Sequence, residues 1–226
     1  MKKIFTCFVF ALALCPVMIS SSQAGINEDL YHAALTNDVQ AAKNLLSQGA
    51  DPNAVVANWT GKQDFTPLYA AAEEGNTEVA RVLIDKGANV NAKCPMDMTP
   101  LMTAAKEGKK DVALLLLEKG ADVNAKSTDG FTVLLTAIES EKDKVGDADT
   151  VIVQALLDKG ADPNGAREGW TPIMYAAARG KTEIVKLLIR KGADVNANKD
   201  GNTALSLAEG REYPEIVKAL KEAGAK

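Results

Sequence analysis

Short apolar stretches of helical period come in pairs along most of this chain. After Pro67, the positions Leu68, Ala71 and Ala72 put small and apolar side chains on one side of a short helix. Beyond Gly75 a second stretch carries Val79, Val82, Leu83 and Ile84 at the same period. Thr66 is suited to cap the first helix, and Pro67 to its first position, where a missing N–H costs nothing. Thr77-Glu78 opens the second helix, and Gly87 supplies the left-handed residue that closes it. Ala88-Asn89-Val90-Asn91-Ala92 then leads into a turn. Neither helix is long enough to persist alone in water. Stacking between neighbouring units must therefore stabilise both.

The pair repeats. Thr66-Pro67-Leu68-Tyr69-Ala70-Ala71-Ala72 returns as Thr99-Pro100-Leu101-Met102-Thr103-Ala104-Ala105, 33 residues later. It returns again as Thr171-Pro172-Ile173-Met174-Tyr175-Ala176-Ala177, and Gly87, Gly120 and Gly192 each stand 21 residues after their threonine. An altered copy has Thr132-Val133-Leu134 and Gly160-Ala161-Asp162-Pro163-Asn164, and a last one Thr203-Ala204-Leu205 and Gly224-Ala225. The first unit lacks Thr-Pro but keeps Ala33-Ala34 and Gly49-Ala50-Asp51-Pro52-Asn53. The six units run over roughly 27–60, 64–96, 97–129, 130–167, 169–200 and 201–226. Polar residues such as Asn37, Gln40 and Lys43 in the first unit and Arg211, Lys218 and Glu222 in the last suit terminal caps.

Thr66-Pro67-Leu68, Gly75, Val82-Leu83-Ile84 and Gly87-Ala88-Asn89-Val90-Asn91, with their equivalents, resemble the ankyrin-repeat family over nearly all of the chain after residue 25. The resemblance implies an all-α solenoid of helix-turn-helix units with short projecting hairpin turns. It also implies that those turns, or fingers, line a binding face together with the first helices. One position departs from the family. Where it usually has histidine, this chain has Tyr69, Met102, Leu135, Met174 and Ser206, so the polar network of that histidine is absent or rebuilt.

Residues 1–24 differ in kind. Met1-Lys2-Lys3 is basic, Ile4 to Ile19 is almost wholly apolar, and Ser22-Gln23-Ala24 ends in small residues, the layout of a bacterial secretory signal cleaved after Ala24. A membrane anchor is the rival, but the apolar run is short and no basic residues follow it. A lipoprotein would use Cys15, but Leu14 before it is bulkier than such cleavage sites want. The expectation is a soluble mature domain, 25–226, in the periplasm or secreted. Its loss of Lys2 and Lys3 takes the bases from 26 to 24 against 30 acids, and the net charge from −4 to −6. An acidic solenoid without a basic stripe is a poor match for nucleic acid or anionic lipid. Cys7 and Cys15 leave with the signal. Cys94 is then alone in a turn, where it could be exposed, and no internal disulfide can form.

No motif for catalysis, cofactor or metal stands up. Gly180-Lys181-Thr182 looks like the end of a phosphate loop, but Tyr175 stands where that motif needs glycine, and the tripeptide shares its turn with Gly75-Asn76-Thr77. His32 is the only histidine, too few for a zinc site or a Ser-His-Asp triad. The fourth unit carries about seven extra residues near 142–148, among Glu139, Glu141, Asp143, Asp147 and Asp149. Their spacing does not match an EF-hand, and a solvated extension is expected there rather than a calcium site.

A partner surface is the better search. The residues just before the repeat threonines are Phe65, Met98, Phe131, Trp170 and Asn202, four of them large and apolar. Trp59 adds an aromatic in a first finger lengthened by about five residues. Large aromatics on a projecting surface can anchor a protein partner, although they can also tuck against the next finger. Near them lie Gln63, Asp64, Met96, Asp97, Arg167 and Glu168, and the first-helix ends Glu73, Glu74, Lys106, Glu107 and Arg179, which could set specificity. The reading is a non-catalytic binder, monomeric when free, for a co-exported protein. One concrete version is an inhibitor of, or protector against, an exported enzyme such as a cell-wall hydrolase. An effector engaging a host or foreign protein, or an envelope scaffold, is the alternative.

Overall fold

From the second unit on, a repeat threonine stands at the N-cap of each first helix. The computed structural model describes residues 16–57, 64–140 and 148–226. In it Thr66, Thr99 and Thr132 sit in extended backbone. Each hydroxyl oxygen accepts a hydrogen bond from the amide three residues on, at 3.2, 3.3 and 3.1 Å. Thr203 closes a reciprocal capping box with Ser206. Thr171 keeps the cap backbone, but its hydroxyl is buried without a partner.

Among the described residues the helices fall into six pairs. They are α1 (Pro16–Thr36) with α2 (Val39–Ser47), α3 (Pro67–Glu74) with α4 (Thr77–Asp85), and α5 (Pro100–Lys106) with α6 (Lys110–Glu118). The rest are α7 (Val133–Glu139) with α8 (Ala148–Asp158), α9 (Pro172–Ala178) with α10 (Thr182–Arg190), and α11 (Ala204–Glu209) with α12 (Pro214–Glu222). First helices stack on first helices and second on second, which makes the all-α solenoid that the repeat implied. In the fingers between pairs, β1 (Val56–Ala57) meets β2 (Asp64–Phe65) with Val56 opposite Phe65, and β3 (Asn198–Lys199) meets β4 (Asn202–Thr203). The other fingers shrink to single bridges, Cys94 to Met98, Lys126 to Thr132 and Arg167 to Trp170.

Small residues set the stacking distance. Ala71, Ala72, Ala104, Ala105, Ala176 and Ala177 are wholly buried, so successive first helices approach closely. Met102, Leu135 and Met174 fill the family's histidine slot and are also fully buried. Apolar packing therefore replaces a polar network, at about 25 cal/mol for each Å² removed from water.

The Gly-Ala-Asp/Asn-x-Asn motif explains itself as a ladder. In the first five units the first Asp or Asn accepts from the amide two residues on, at 2.9–3.0 Å, which shapes the turn. The second Asn reaches the next unit. Asn53 donates to the Gly87 carbonyl and accepts from Asn89 N, and Asn124 does the same to Gly160 and Asp162. Asn164 continues to Gly192 and Asp194, and Asn196 to Gly224 and Lys226. Asn27 starts the series by accepting from Asp51 N.

The fourth unit needs more. Its α7 ends before 141–147, so Lys142 to Asp147, with Glu141, lie outside the described residues. Across that segment the fifth unit supplies two cations. Lys181 donates to the Ser140 carbonyl and to the buried carboxylate of Asp149, at 2.9 and 2.6 Å, and Arg179 pairs with Glu139. The lysine of Gly180-Lys181-Thr182 is thus engaged inside the solenoid. Cys94 corrects the expectation of an exposed thiol. The residue is only 6% exposed, at a bridge where its amide donates to the Met98 carbonyl. The proposed cleavage point after Ala24 falls within α1, where Gln23 donates to the Gly49 carbonyl. No helix among the described residues is long and apolar enough to cross a membrane.

Two stability effects are expected. Asn124→Ala removes both a donor and an acceptor between units and should cost about 1–2 kcal/mol in urea unfolding, whereas Asn124→Asp, which keeps the acceptor, should cost about half as much. Lys181→Ala leaves Asp149 buried without its cation and should cost about 3 kcal/mol, with much of the loss recovered when Asp149→Leu is added.

Candidate functional site

The fingers and the first helices share one face, and most of the large aromatics among the described residues lie there. Phe65 stacks on Tyr69 with ring centroids 4.7 Å apart. Tyr175 lies 5.7 Å from Trp170 and 6.4 Å from Phe131. Arg167 lies over the Phe131 ring at 4.2 Å, donates from Nε to the Asp129 carbonyl at 2.8 Å, and hydrogen-bonds Tyr175. That last bond raises the guanidinium's affinity for its proton further. Phe65, Met98, Phe131 and Trp170 are all half-buried. Of these, Met98 and Trp170 pack against the core. Asp97 is half-buried beside Lys93, 3.5 Å away, and Glu168 is exposed at its finger tip. Asp64 pairs through its backbone with Ala57. Trp59 lies outside the described residues.

Two clefts open between these fingers. One, of about 120 Å³, has Phe65, Tyr69 and Thr103 among its walls, and the other, of about 270 Å³, has Phe131, Thr136 and Glu139. Met96, Met98 and Lys106 belong to both. The tip between them is strained. Met96 and Asp97 have φ of 62° and 57°, left-handed backbone that costs an ordinary side chain about 1 kcal/mol or more. The Met96 carbonyl accepts from Thr128 N at 2.9 Å, which holds the tip against the next finger. Its side chain is 58% exposed.

Sequence reasoning left Tyr69 and Tyr175 out of the site and named Met96 only among the residues near the anchors that could set specificity. Tyr175 stands where other units have Ala70, Thr103 and Thr136, so its size was a usable signal. Tyr69 was visible only as a departure from the family's histidine. Met96 is apolar at a finger tip, where Asp200-Gly201 and Glu168-Gly169 are the pattern elsewhere. His32 is exposed on α1, and no cluster of metal-binding side chains occurs among the described residues.

The comparisons with known proteins agree with this architecture. A family model described as Ankyrin repeats (3 copies) matches residues 30–127, 95–164 and 144–226. The chain belongs to the ankyrin-repeat family. Ankyrin repeats are protein-interaction modules and are generally non-catalytic. Among solved structures, an ankyrin repeat domain from Acinetobacter baumannii AYE is similar at TM-score 0.75 and 33% identity, over 87% of this chain and 98% of that one. The ankyrin repeat domain of Bcl-3, a member of the IkappaB protein family, is similar at TM-score 0.73 and 26% identity, over 88% and 86%. Among curated proteins, Ankyrin repeat, SAM and basic leucine zipper domain-containing protein 1 of Mus musculus is 36% identical over 170 residues, 70% of this chain. Alpha-latrocrustotoxin-Lt1a of Latrodectus tredecimguttatus is 39% identical over 64 residues, 28% of this chain. This chain spans 25% of the first of these proteins and 4% of the second.

Burial pushes the Tyr69 phenol up to about 12, with Thr103's hydrogen bond opposing and Glu73 adding to the rise. A phenol raised in the fold above its ordinary 10.0 contributes stability that is whole below pH 10 and is lost as pH climbs toward 12. Absorbance titration should therefore show one of the four tyrosines ionising near 12, and Tyr69→Phe should remove both that step and some of the alkaline loss of stability.

Proposed function

We propose that this chain is a non-catalytic protein-binding solenoid, and that its partner lies across the face formed by the fingers and first helices. One observation carries the reading: Phe65, Tyr69, Met96, Met98, Phe131, Tyr175 and Trp170 gather on that face around two open clefts. Half-buried aromatics fixed by their neighbours lose little freedom when a partner covers them, which is what makes them effective anchors. Asp64, Asp97 and Glu168 stand on the same fingers. Arg167 is committed to Phe131, Tyr175 and Asp129, so it shapes the surface more than it reaches out.

The site of action follows from the leader. Basic Lys2-Lys3, the apolar run and small residues before Gly25 support export, hence a periplasmic or secreted protein. A small exported binder needs an exported client, and blocking a damaging enzyme such as a cell-wall hydrolase is the form proposed here.

Affinity capture with the immobilised chain from a periplasmic extract tests both the binding face and the client. The expected eluate contains one stoichiometric enzyme, whose activity falls when the chain is added. Phe65→Ala with Phe131→Ala should weaken that binding at least about tenfold while the helical circular dichroism stays unchanged. These two residues are chosen because Met98 and Trp170 also support the core. Unaltered affinity would remove the finger face as the site, and an extract that yields no partner would remove the periplasmic client.

A further inference from the structure

Helix packing is thinnest where the fourth unit meets the fifth. There α7 packs less extensively against α9, and α8 against α10, than the other successive first or second helices do. Charge takes the place of apolar contact. Among the described residues three ion pairs cross this junction: Arg179 with Glu139, Lys181 with Asp149, and Lys191 with Asp158. The buried side-chain oxygens left without a hydrogen-bond partner among the described residues are Glu139 Oε1, Ser140 Oγ, Asp149 Oδ1 and Thr171 Oγ1. All four belong to the two units that meet here. Desolvation of a buried ion pair offsets much of its attraction, and an unmet polar atom destabilises further. A junction of this kind is weaker than one of stacked alanine and leucine.

The weakness is one-sided. Glu139 and Ser140 lie at the end of α7 away from its finger, and Asp149 lies at the facing start of α8. At the finger end the two units stay tied. Asn164 accepts from Asp194 N at 2.8 Å, and Arg167 donates to the Asp129 carbonyl at the same distance. The Tyr175 ring lies 6.4 Å from that of Phe131. An interface firm along one edge and poorly satisfied along the other can swing about the firm edge.

We propose that the solenoid is hinged between its fourth and fifth units, with α9 to α12 opening as one block from α1 to α8 about the fingers. Stability in a repeat array is a sum over junctions, so the weakest junction is where the array first parts. Phe131 stands on one block, and Trp170 and Tyr175 stand on the other. A protein that covers all three therefore holds the hinge shut. That consequence rests on the finger face being the partner surface, whereas the hinge itself does not.

The two tryptophans fall on either side of the hinge in sequence, Trp59 before it and Trp170 at the start of the second block. Urea unfolding followed by fluorescence therefore reads each block separately, Trp170 in Trp59→Phe and Trp59 in Trp170→Phe. The Trp170 midpoint is expected about 0.5 M or more below the Trp59 midpoint. Lys181→Ala should lower the Trp170 midpoint by about 1 M more and leave the Trp59 midpoint in place. Lys181→Met with Asp149→Leu puts an apolar pair where the buried ion pair was, and should bring the two midpoints together. Coincident midpoints both without and with Lys181→Ala would overturn the proposal. Native-state hydrogen exchange distinguishes a hinge from fraying at the C-terminus. In Lys181→Ala, α10 and α12 should lose protection together, about tenfold, while α4 and α6 keep theirs. Loss confined to α12, or spread evenly over the chain, would sink the hinge. Both measurements use the chain without a partner, so either failure leaves the assignment of the finger face untouched.

Discussion

The asparagine side chain that crosses from one unit to the next is the interaction on which the other features depend. Helices of seven to nine residues are too short to persist alone, so each exists because its neighbours bury it. Apolar stacking provides that burial but is weakly directional: alanine against alanine tolerates a slide along the helix axis. An amide that must donate to one carbonyl and accept from one amide in the next unit does not. Asn53, Asn124, Asn164 and Asn196 each make this two-point contact, so register is fixed at almost every junction. Because the fingers spring from the same turns, fixing the turns also aligns the fingers, and Phe65, Met98 and Phe131 come to share a face.

Where the repeat is broken, other chemistry takes over. The fourth unit loses the short glycine turn that joins the two helices elsewhere, and with it the local geometry that would hold α7 against α8. Lys181 compensates from the next unit by gripping the end of α7 and the start of α8 together, while Arg179 holds Glu139. At the equivalent junction between the first two units the task is lighter. Asn76 donates to the Ala34 and Leu35 carbonyls with no charge involved. A charged grip is used where the chain between the two helices is longest.

The fold was legible because its determinants are local. Thr-Pro, the inter-helix glycine and the closing Gly-Ala-Asp/Asn-x-Asn all act within a few residues, and each satisfies backbone groups that a short helix leaves open. The contacts that shape the candidate site are of the other kind. Arg167 with Asp129, Lys181 with Asp149 and the Met96 carbonyl with Thr128 join residues about one unit apart in sequence, and nothing within either partner announces the other. Tyr175 lies between these cases: its size against Ala70 and Thr103 was readable, but its place between Phe131 and Trp170 was not. Cys94 was misjudged because a turn suggests solvent, whereas even a finger closed by a single bridge has an inner face.

Asp97 stands in left-handed backbone where other fingers have Gly130, Gly169 and Gly201, and Met96 beside it is left-handed as Glu168 and Asp200 are. A repeat protein can carry such a residue because its stability is a sum over junctions. Losing about 1 kcal/mol at one finger tip leaves the neighbouring rungs of the ladder untouched. That tolerance is uneven. The interior must obey the repeat, since a larger residue at the Ala71 or Ala104 position would push adjacent first helices away from each other, whereas a finger tip answers only to its own turn and to the next finger. Variation in such a solenoid therefore accumulates at the tips and on the exposed side of the first helices. In this chain that surface carries an exposed methionine at one finger tip and a set of half-buried aromatics.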